Sequence, residues 1–255
     1  MASKLASIAR QVAIITGGTQ GIGLACAERF LAEGAKVAIL GRTPSHGEAA
    51  LEALKKISSD VVYIQADCTQ SADIDEAFRQ VDALWGGIHI LVNCIGGFVV
   101  SPKLDGLSEE DWRKGIDWNL TSKFLTVKAA APYMKQNNYG RIVNVASVAG
   151  RHGVVAAPID YSAAKAGVVV MTQRLAVELA KFGITANVVA PGTTATPRVT
   201  ALTHRRWEDV IARIPVGRLG ESDEIAHAIL YFCTPGSGFT TGAVLDVNGG
   251  VWTGA

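Results

Sequence analysis

The chain has 255 residues, of which 49% are hydrophobic and 18% are charged. This composition excludes a disordered chain, which would bury too little apolar surface to offset the entropy lost on folding. With 24 basic and 23 acidic residues the net charge is +1, so no charge excess points to nucleic acid or to an anionic membrane. The length suits one domain, and no repeat or change in composition divides residues 1–255.

The sequence indicates neither a membrane segment nor a metal site. Its apolar runs are shorter than the ~20 residues that span a bilayer, and the first ten residues lack the apolar core of a signal peptide. The four cysteines, Cys26, Cys68, Cys94 and Cys233, show neither CxxC spacing nor a histidine at zinc-ligand spacing. We therefore expect a soluble cytoplasmic protein with reduced cysteines and no bound metal.

Short runs rich in valine and isoleucine alternate with stretches of helical periodicity. The predicted strands are 12–16, 36–40, 61–65, 89–93, 141–145, 185–190 and 244–247. The predicted helices are 21–33, 46–57, 71–85, 109–136, 160–182 and 222–233. Residues typical of helix starts are Ser71, Ser108 and Ser222, and residues typical of helix ends are Gly34 and Gly183. Because most strands are apolar on both faces, we predict a doubly wound parallel sheet with helices on both faces.

One long segment, 192–220, contains no clear periodic element and is rich in threonine and arginine. Long irregular segments in compact domains are usually lids or binding loops, so we expect a substrate loop here. Its arginines Arg198, Arg205 and Arg206 could meet an anionic carrier such as a phosphopantetheine thioester, or they could be solvated surface charges.

A glycine-rich turn follows the first predicted strand and precedes the first helix. Its residues are Gly17, Gly18, Thr19, Gln20, Gly21, Ile22 and Gly23. Glycine lets the backbone approach a pyrophosphate closely, and the helix N-terminus offers N–H groups to phosphate oxygens. The spacing GxxxGxG differs from the common GxGxxG, and no Lys-Ser/Thr pair of an NTPase phosphate loop follows. The turn therefore predicts a nucleotide site, with S-adenosylmethionine still an alternative to a dinucleotide.

The end of the second strand bears on the choice of dinucleotide. A carboxylate there would bind the ribose hydroxyls of NAD, but the sequence has Gly41 and Arg42. Arginine suits a phosphate monoester through paired N–H groups, so we predict NADP(H), with NAD(H) as the alternative. Asp67, just past the third strand, could accept a hydrogen bond from the adenine amino group.

Tyr161 and Lys165 lie four residues apart in a predicted helix and therefore one turn apart on the same face. A nearby ammonium stabilises a phenolate, so the pair is a candidate acid–base unit. Ser147 follows the strand 141–145, at the edge of the sheet where ligands bind, and could hydrogen-bond a carbonyl group. It lies in Ala-Ser-Val rather than in GxSxG, so a nucleophile elbow is not supported.

Together, these motifs resemble the short-chain dehydrogenase/reductase family, in particular its 3-oxoacyl-(acyl carrier protein) reductase branch. The motifs, in the family's order, are Thr16-Gly17, Gly21-Ile22-Gly23, Asn93-Cys94-Ile95-Gly96, Asn119-Leu120, Ser147, Tyr161 with Lys165, and Pro191-Gly192 with Thr196. One departure is Cys94-Ile95, where the family usually has Asn-Ala. The resemblance implies a single-domain Rossmann fold with a seven-stranded parallel sheet, and a homotetramer.

The resemblance also implies roles for individual residues. Tyr161 would be the general acid in reduction and the base in oxidation, and Lys165 would lower its pKa and hold the nicotinamide ribose. Ser147 would polarise the carbonyl, and Asn119 would anchor a water that relays protons. The implied cofactor-binding positions are Gly17, Thr19, Gln20, Gly21, Ile22, Gly23, Arg42, Asp67, Cys68, Asn93, Ile95, Gly96, Tyr161, Lys165, Pro191, Gly192, Thr194 and Thr196.

The resulting prediction is an NADP(H)-dependent oxidoreductase that transfers a hydride between nicotinamide and a ketone or secondary alcohol, as a carbonyl or 3-oxoacyl-thioester reductase. Two alternatives stay open: an NAD-dependent alcohol dehydrogenase of the same fold, and a catalytically silent dinucleotide-binding sensor. A methyltransferase would give no reason for Tyr161, Lys165 and Ser147 together. The expected partner is a small carbonyl or alcohol substrate, which could be a thioester, with no nucleic acid and no membrane.

Overall fold

A computed structural model of the protein describes residues 7–98, 103–153, 157–202 and 206–254. Within these residues seven strands form one all-parallel sheet in the order β3-β2-β1-β4-β5-β6-β7. The strands are β1 Val12–Thr16, β2 Lys36–Gly41, β3 Val61–Gln65, β4 Ile90–Asn93, β5 Gly140–Val145, β6 Ile184–Pro191 and β7 Val244–Val247. The predicted doubly wound, seven-stranded parallel sheet is thereby confirmed.

Nine α-helices connect and cover the strands in the described part of the chain. They are α1 Gly21–Ala32, α2 Pro44–Lys55, α3 Ser71–Trp85, α4 Glu109–Ile116, α5 Ser122–Gln136, α6 Ile159–Leu179, α7 Pro197–Thr200, α8 Trp207–Ile211 and α9 Ser222–Cys233. None of the helices in the described ranges is long and apolar enough to cross a membrane.

Strand β1 explains why the sequence is apolar on both faces of the sheet. Successive side chains of a strand point to opposite faces. Val12 and Ile14 pack into the layer that contains α3, α5 and α6, whereas Ala13 and Ile15 pack into the layer that contains α1, α2 and α9. Since the two layers together bury the whole strand, a continuous apolar run is required there.

The predicted helix 109–136 is interrupted in the structure. A π-helical turn, Asp117–Thr121, separates α4 from α5. In a regular α-helix the Gly115 carbonyl would accept a hydrogen bond from the backbone N–H of Asn119. Here the side-chain Nδ2 of Asn119 donates to that carbonyl at 3.0 Å. Such widened turns occur mostly at functional sites, and sequence periodicity does not reveal them.

Three smaller expectations also need correction. Helix α9 is capped by Glu221 rather than by Ser222, because the Glu221 and Glu224 side chains form a reciprocal capping box. Ser71 likewise follows the cap, Gln70, whereas Ser108 caps α4 and accepts a hydrogen bond from Asp111 N at 3.0 Å. The segment 192–220 is less irregular than expected, since it contains α7 and α8.

Candidate active site

A cavity of about 370 Å³ opens where the carboxyl ends of β1, β4, β5 and β6 meet. Ligands of open α/β sheets bind at this edge, where the strand order reverses. Most of the sequence-predicted site residues line the cavity: Gly17, Thr19, Gln20, Gly21, Ile22, Gly23, Arg42, Cys68, Ile95, Gly96, Ser147, Tyr161, Lys165, Pro191, Gly192, Thr194 and Thr196. Asp67, Asn93 and Asn119 do not line it.

The glycine turn brings the backbone of β1 and α1 close to the cavity. Gly17 has a φ of +64°, and a Cβ there would lie 3.1 Å from the backbone of Ile95. A Cβ on Gly23 would lie 2.2 Å from Gly17 O, so only glycine allows α1 to begin this close to the turn. The cap residue of α1, Gln20, makes no side-chain capping bond. The first N–H groups of α1 can therefore hold a phosphate.

A buried chain of polar side chains fixes the strand ends beneath the cavity. Thr16 Oγ1 donates to Asn93 Oδ1 at 3.1 Å, and Asn93 Nδ2 donates to Asn144 Oδ1 at 2.9 Å. Asn144 Nδ2 then donates to Thr172 Oγ1 of α6 at 2.9 Å. All four side chains are fully buried. Asn93, predicted to bind cofactor, thus has its side chain engaged inside the protein, where it joins β1, β4 and β5.

Ser147, Tyr161 and Lys165 come together at the far wall of the cavity. Ser147 Oγ accepts a hydrogen bond from Ala149 N at 3.1 Å, and Ser147 is near enough to the Tyr161 hydroxyl to lower the pKa of Tyr161. Lys165 Nζ donates to Val145 O at 2.9 Å and lies 5.4 Å from the centre of the Tyr161 ring. The ring of Phe98 packs edge-on against Tyr161 at 5.0 Å. The two hydroxyls can thus face one carbonyl oxygen.

The pKa of Tyr161 depends on its burial and on Ser147 and Arg198, and the expected effect of Lys165 on that pKa stays a prediction. Burial raises the pKa of Tyr161, while the hydrogen bond with Ser147 and the charge of Arg198 oppose that rise. Burial lowers the pKa of Lys165 well below its ordinary value, and the neighbouring Lys123 lowers it further. Arg198 is therefore a cation that acts on the Tyr161 phenol, in addition to Lys165 over its ring.

Asn119 acts on the backbone of the loop that follows β4. Its Oδ1 accepts from Gly97 N at 2.8 Å, and its Nδ2 donates to Gly97 O at 3.0 Å. Gly96 has a φ of +132°, and a Cβ there would lie 2.6 Å from Asn119 Oδ1 and 3.3 Å from Lys165 Nζ. Asn119 therefore holds one wall of the cavity in shape, directly beside Lys165.

Arg198 closes the mouth of the cavity from the opposite side. Its Nη1 donates to Gly96 O at 2.8 Å, and its guanidinium stacks 4.8 Å from the centre of the Trp118 ring. Of the other loop arginines, Arg206 pairs with Asp209 at 3.5 Å on the exposed surface, and Arg205 lies outside the described residues. Only the fold distinguishes Arg198 from a solvated charge.

Arg42 lies on the rim of the cavity, next to the glycine turn. Its side chain is 57% exposed and its Nη1 lies 3.7 Å from Asp67 Oδ2. Asp67 Oδ1 also accepts hydrogen bonds from the backbone and hydroxyl of Thr69 at 2.9 and 2.8 Å. Asp67 and Arg42 line a second, neighbouring groove. The Arg42 guanidinium is thus available to an anion at the rim.

Sequence reasoning missed Lys123, a fully buried lysine on α5. Its Nζ donates to Ile95 O, at the cavity wall. The signal in the sequence is a lysine four residues after Asn119, on the helix face that also carries the buried Val127 and Ala130. Within the described residues, no group of three or more histidines, cysteines or acids is arranged to hold a metal ion.

Comparisons with known proteins cover nearly the whole chain. Residues 17–252 match the family model described as Enoyl-(Acyl carrier protein) reductase. The chain is 40% identical over 95% of its length to the (2S)-[(R)-hydroxy(phenyl)methyl]succinyl-CoA dehydrogenase subunit BbsD of Thauera aromatica, of which it covers 97%. It is 35% identical over 95% of its length to the 3-oxoacyl-[acyl-carrier-protein] reductase FabG of Escherichia coli, of which it also covers 97%.

Solved structures share the whole fold. The crystal structure of gox2181 superimposes with a TM-score of 0.93 at 32% identity, covering 99% of this chain and 100% of that one. A putative gluconate dehydrogenase from Agrobacterium tumefaciens superimposes with a TM-score of 0.91 at 30% identity, covering 97% and 98% of the two chains.

Proposed function

Because the chain belongs to the short-chain dehydrogenase/reductase family, whose members act on alcohol and carbonyl groups, we propose that it interconverts a ketone and a secondary alcohol with NADP(H). The observation that carries this proposal is the grouping of Ser147, Tyr161 and Lys165 in the cavity that the glycine turn borders. A dinucleotide-binding sensor without catalytic activity would not require Ser147, Tyr161 and Lys165 together in this cavity.

The chain's own residues supply the proton and polarise the substrate. A carbonyl oxygen that accepts hydrogen bonds from both Ser147 and Tyr161 becomes more electrophilic at carbon. In reduction Tyr161 donates its proton to that oxygen, and in oxidation the phenolate takes the proton back. Asn119 keeps the adjoining loop and Gly96 in place beside Lys165. The nicotinamide cofactor, when bound, supplies or accepts the hydride.

Two features support a phosphorylated dinucleotide at the glycine turn. The N–H groups at the start of α1 face the cavity and suit a pyrophosphate. Arg42 lies on the rim with more than half of its side chain exposed, and it can pair with a 2′-phosphate. Both dinucleotides contain the pyrophosphate, so Arg42 is the feature that supports NADP(H) over the alternative, NAD(H).

We propose a 3-oxoacyl thioester or a related small ketone as the substrate. Two relatives are named for thioester substrates, one for a succinyl-CoA derivative and one for a 3-oxoacyl-[acyl-carrier-protein]. An NAD-dependent alcohol dehydrogenase is the second candidate, since a structural neighbour is titled a putative gluconate dehydrogenase.

We also propose a cytoplasmic homotetramer. Val170 and Val177 on α6 are 65% and 73% exposed, and Phe124 on α5 is 48% exposed. These side chains give the two helices an apolar outer face that a second subunit can cover. Light scattering coupled to size exclusion measures the mass directly, and a monomer of 26.8 kDa contradicts this part of the proposal.

The decisive experiment is a screen of ketones, 3-oxoacyl thioesters and secondary alcohols with NADPH and NADH, followed at 340 nm. We expect turnover with NADPH. Since acid–base catalysis contributes roughly 10²–10⁴-fold to a rate, Tyr161→Phe should lower the turnover by at least about 10³-fold. Cofactor binding should stay unchanged. Tyr231→Phe, which changes an exposed tyrosine of α9, is the matched control. Cofactor binding without turnover of any substrate favours the sensor, and full activity of Tyr161→Phe removes this residue from the mechanism.

A further inference from the structure

Lys123 lies where a helix that packs on a sheet normally carries an apolar side chain. It has no exposed surface and lies one helical turn after Asn119. Its Nζ donates a hydrogen bond to Ile95 O in the loop after β4. A buried ammonium is strongly disfavoured unless an ionic partner compensates for the lost hydration. The surroundings of Lys123 therefore decide whether it carries a charge.

The ionisable groups that face Lys123 come from three other segments. Lys165 of α6 lies near Lys123, because Lys123 Nζ bonds Ile95 O and a Cβ on the next residue, Gly96, would lie 3.3 Å from Lys165 Nζ. Cys94 follows β4, and Cys68 follows β3. Cys68 cannot serve as an anion at neutral pH, because burial raises its pKa to about 12. No carboxylate forms an ion pair with Lys123 in the described ranges of the chain. The closest basic group to this lysine is therefore a second lysine.

The surroundings of Lys165 are similar to those of Lys123. Its Nζ donates to Val145 O and lies over the ring of Tyr161, while Lys123 and Arg198 add positive charge around it. Burial lowers the pKa of Lys123 to about 8, and burial together with the neighbouring charge of Lys123 lowers the pKa of Lys165 well below its ordinary value. Two adjacent ammonium groups in a dry site repel each other, so protonation of one amine disfavours protonation of the other.

We propose that Lys123 is a positioning residue for Lys165: the two amines share one buried site, and the charge on Lys123 sets how readily Lys165 gains or releases a proton beside Tyr161. This inference rests on the proposed function, which assigns Lys165 to the reaction. A buried amine beside a second amine loses its proton more readily than an isolated exposed lysine, which remains charged near neutral pH. The pair thus links the protonation of the active site to the ambient pH.

The experiment measures the protonation of Lys165 directly, without requiring turnover. Trace acetylation with acetic anhydride at a series of pH values modifies only neutral amines, and peptide mass spectrometry gives the apparent pKa of Lys165. The variants are Lys123→Met, which keeps the length of the side chain, and Lys123→Gln, which keeps a donor for Ile95 O. Lys128→Met, an exposed lysine on the same helix, is the control.

We expect both Lys123 variants to raise the apparent pKa of Lys165 by at least about one unit, as removal of an adjacent like charge does. Lys128→Met leaves it unchanged. If turnover is found, the limb of the kcat/KM profile that reports Lys165 moves to higher pH by the same amount. An unchanged pKa in both Lys123 variants overturns the inference. Failure of both variants to fold also overturns it, because the amine would then serve the fold alone. Neither result bears on the NADP(H) reaction itself, which the substrate screen tests.

Discussion

Replacing Arg42 tests how this protein reads the cofactor. Its guanidinium stands on the rim of the cavity, 57% exposed and 3.7 Å from Asp67. A hydrogen bond to a charged group contributes about 1.5–3 kcal/mol. The weak pairing with Asp67, which a bound phosphate would replace, is worth at most about 1 kcal/mol between such exposed groups. The net gain from a 2′-phosphate at Arg42 is therefore about 1–2 kcal/mol.

This magnitude predicts the kinetics of two variants. Since about 1.4 kcal/mol corresponds to a factor of ten, Arg42→Ala should lower kcat/KM for NADPH by about 5- to 30-fold and leave NADH unaffected. Arg42→Asp should lower it by about a further tenfold, because a carboxylate near a phosphate adds on the order of 1 kcal/mol of repulsion per charge pair in water. The new carboxylate can also accept hydrogen bonds from the ribose hydroxyls of NADH and raise kcat/KM for that cofactor.

The assay is steady-state turnover of one substrate with both cofactors, supported by dinucleotide titration of the fluorescence of the protein. Arg79→Ala is the matched control, because Arg79 is 64% exposed and is likewise paired with an acid, Glu76. A ratio of NADPH to NADH efficiency that is the same in wild type and both Arg42 variants refutes the reasoning. The 2′-phosphate, if bound, would then be recognised by another group.

Three further predictions concern other parts of the protein. Asn144→Ala leaves the buried side chains of Asn93 and Thr172 without a hydrogen-bond partner. It should lower the free energy of unfolding, measured by urea titration, by about 2–5 kcal/mol. A loss below about 1 kcal/mol contradicts the buried chain of hydrogen bonds. Arg198→Met removes the cation that opposes the raised pKa of Tyr161, so the rise of the alcohol oxidation rate with pH should move to higher pH. Arg198→Lys should keep that rise near its wild-type position. Coincident pH profiles for all three proteins rule out an effect of Arg198 on Tyr161. Glu224 is paired with Arg218, which lowers the pKa of Glu224 to about 2 from 4.5. This pair therefore stabilises the fold above pH 4.5 and ceases to do so as the pH falls toward 2. Glu224→Gln should lower Tm at pH 7 but not at pH 2, and equal differences in Tm at both pH values contradict the assignment.

Local sequence patterns carried much of the information about the fold. The predicted strands at 12–16, 61–65 and 244–247 have the observed limits, and the others differ by one or two residues. This accuracy has a physical basis, since a strand covered on both faces must be apolar throughout and the helices between strands must show a 3.6-residue period. The glycine turn is equally local, because a positive φ and a missing Cβ are requirements on single residues.

The sequence by itself determined the doubly wound fold, the family, and the residue types that gather at the carboxyl edge of the sheet. The tertiary structure alone decided which of them face the cavity: the side chain of Asn93 is engaged below it, whereas Arg198, one of several arginines in an irregular segment, closes its mouth. It also decided that Lys123 is buried beside Lys165. Burial and charge at one residue depend on side chains that the fold brings from distant parts of the chain, and a local pattern contains no information about those distances.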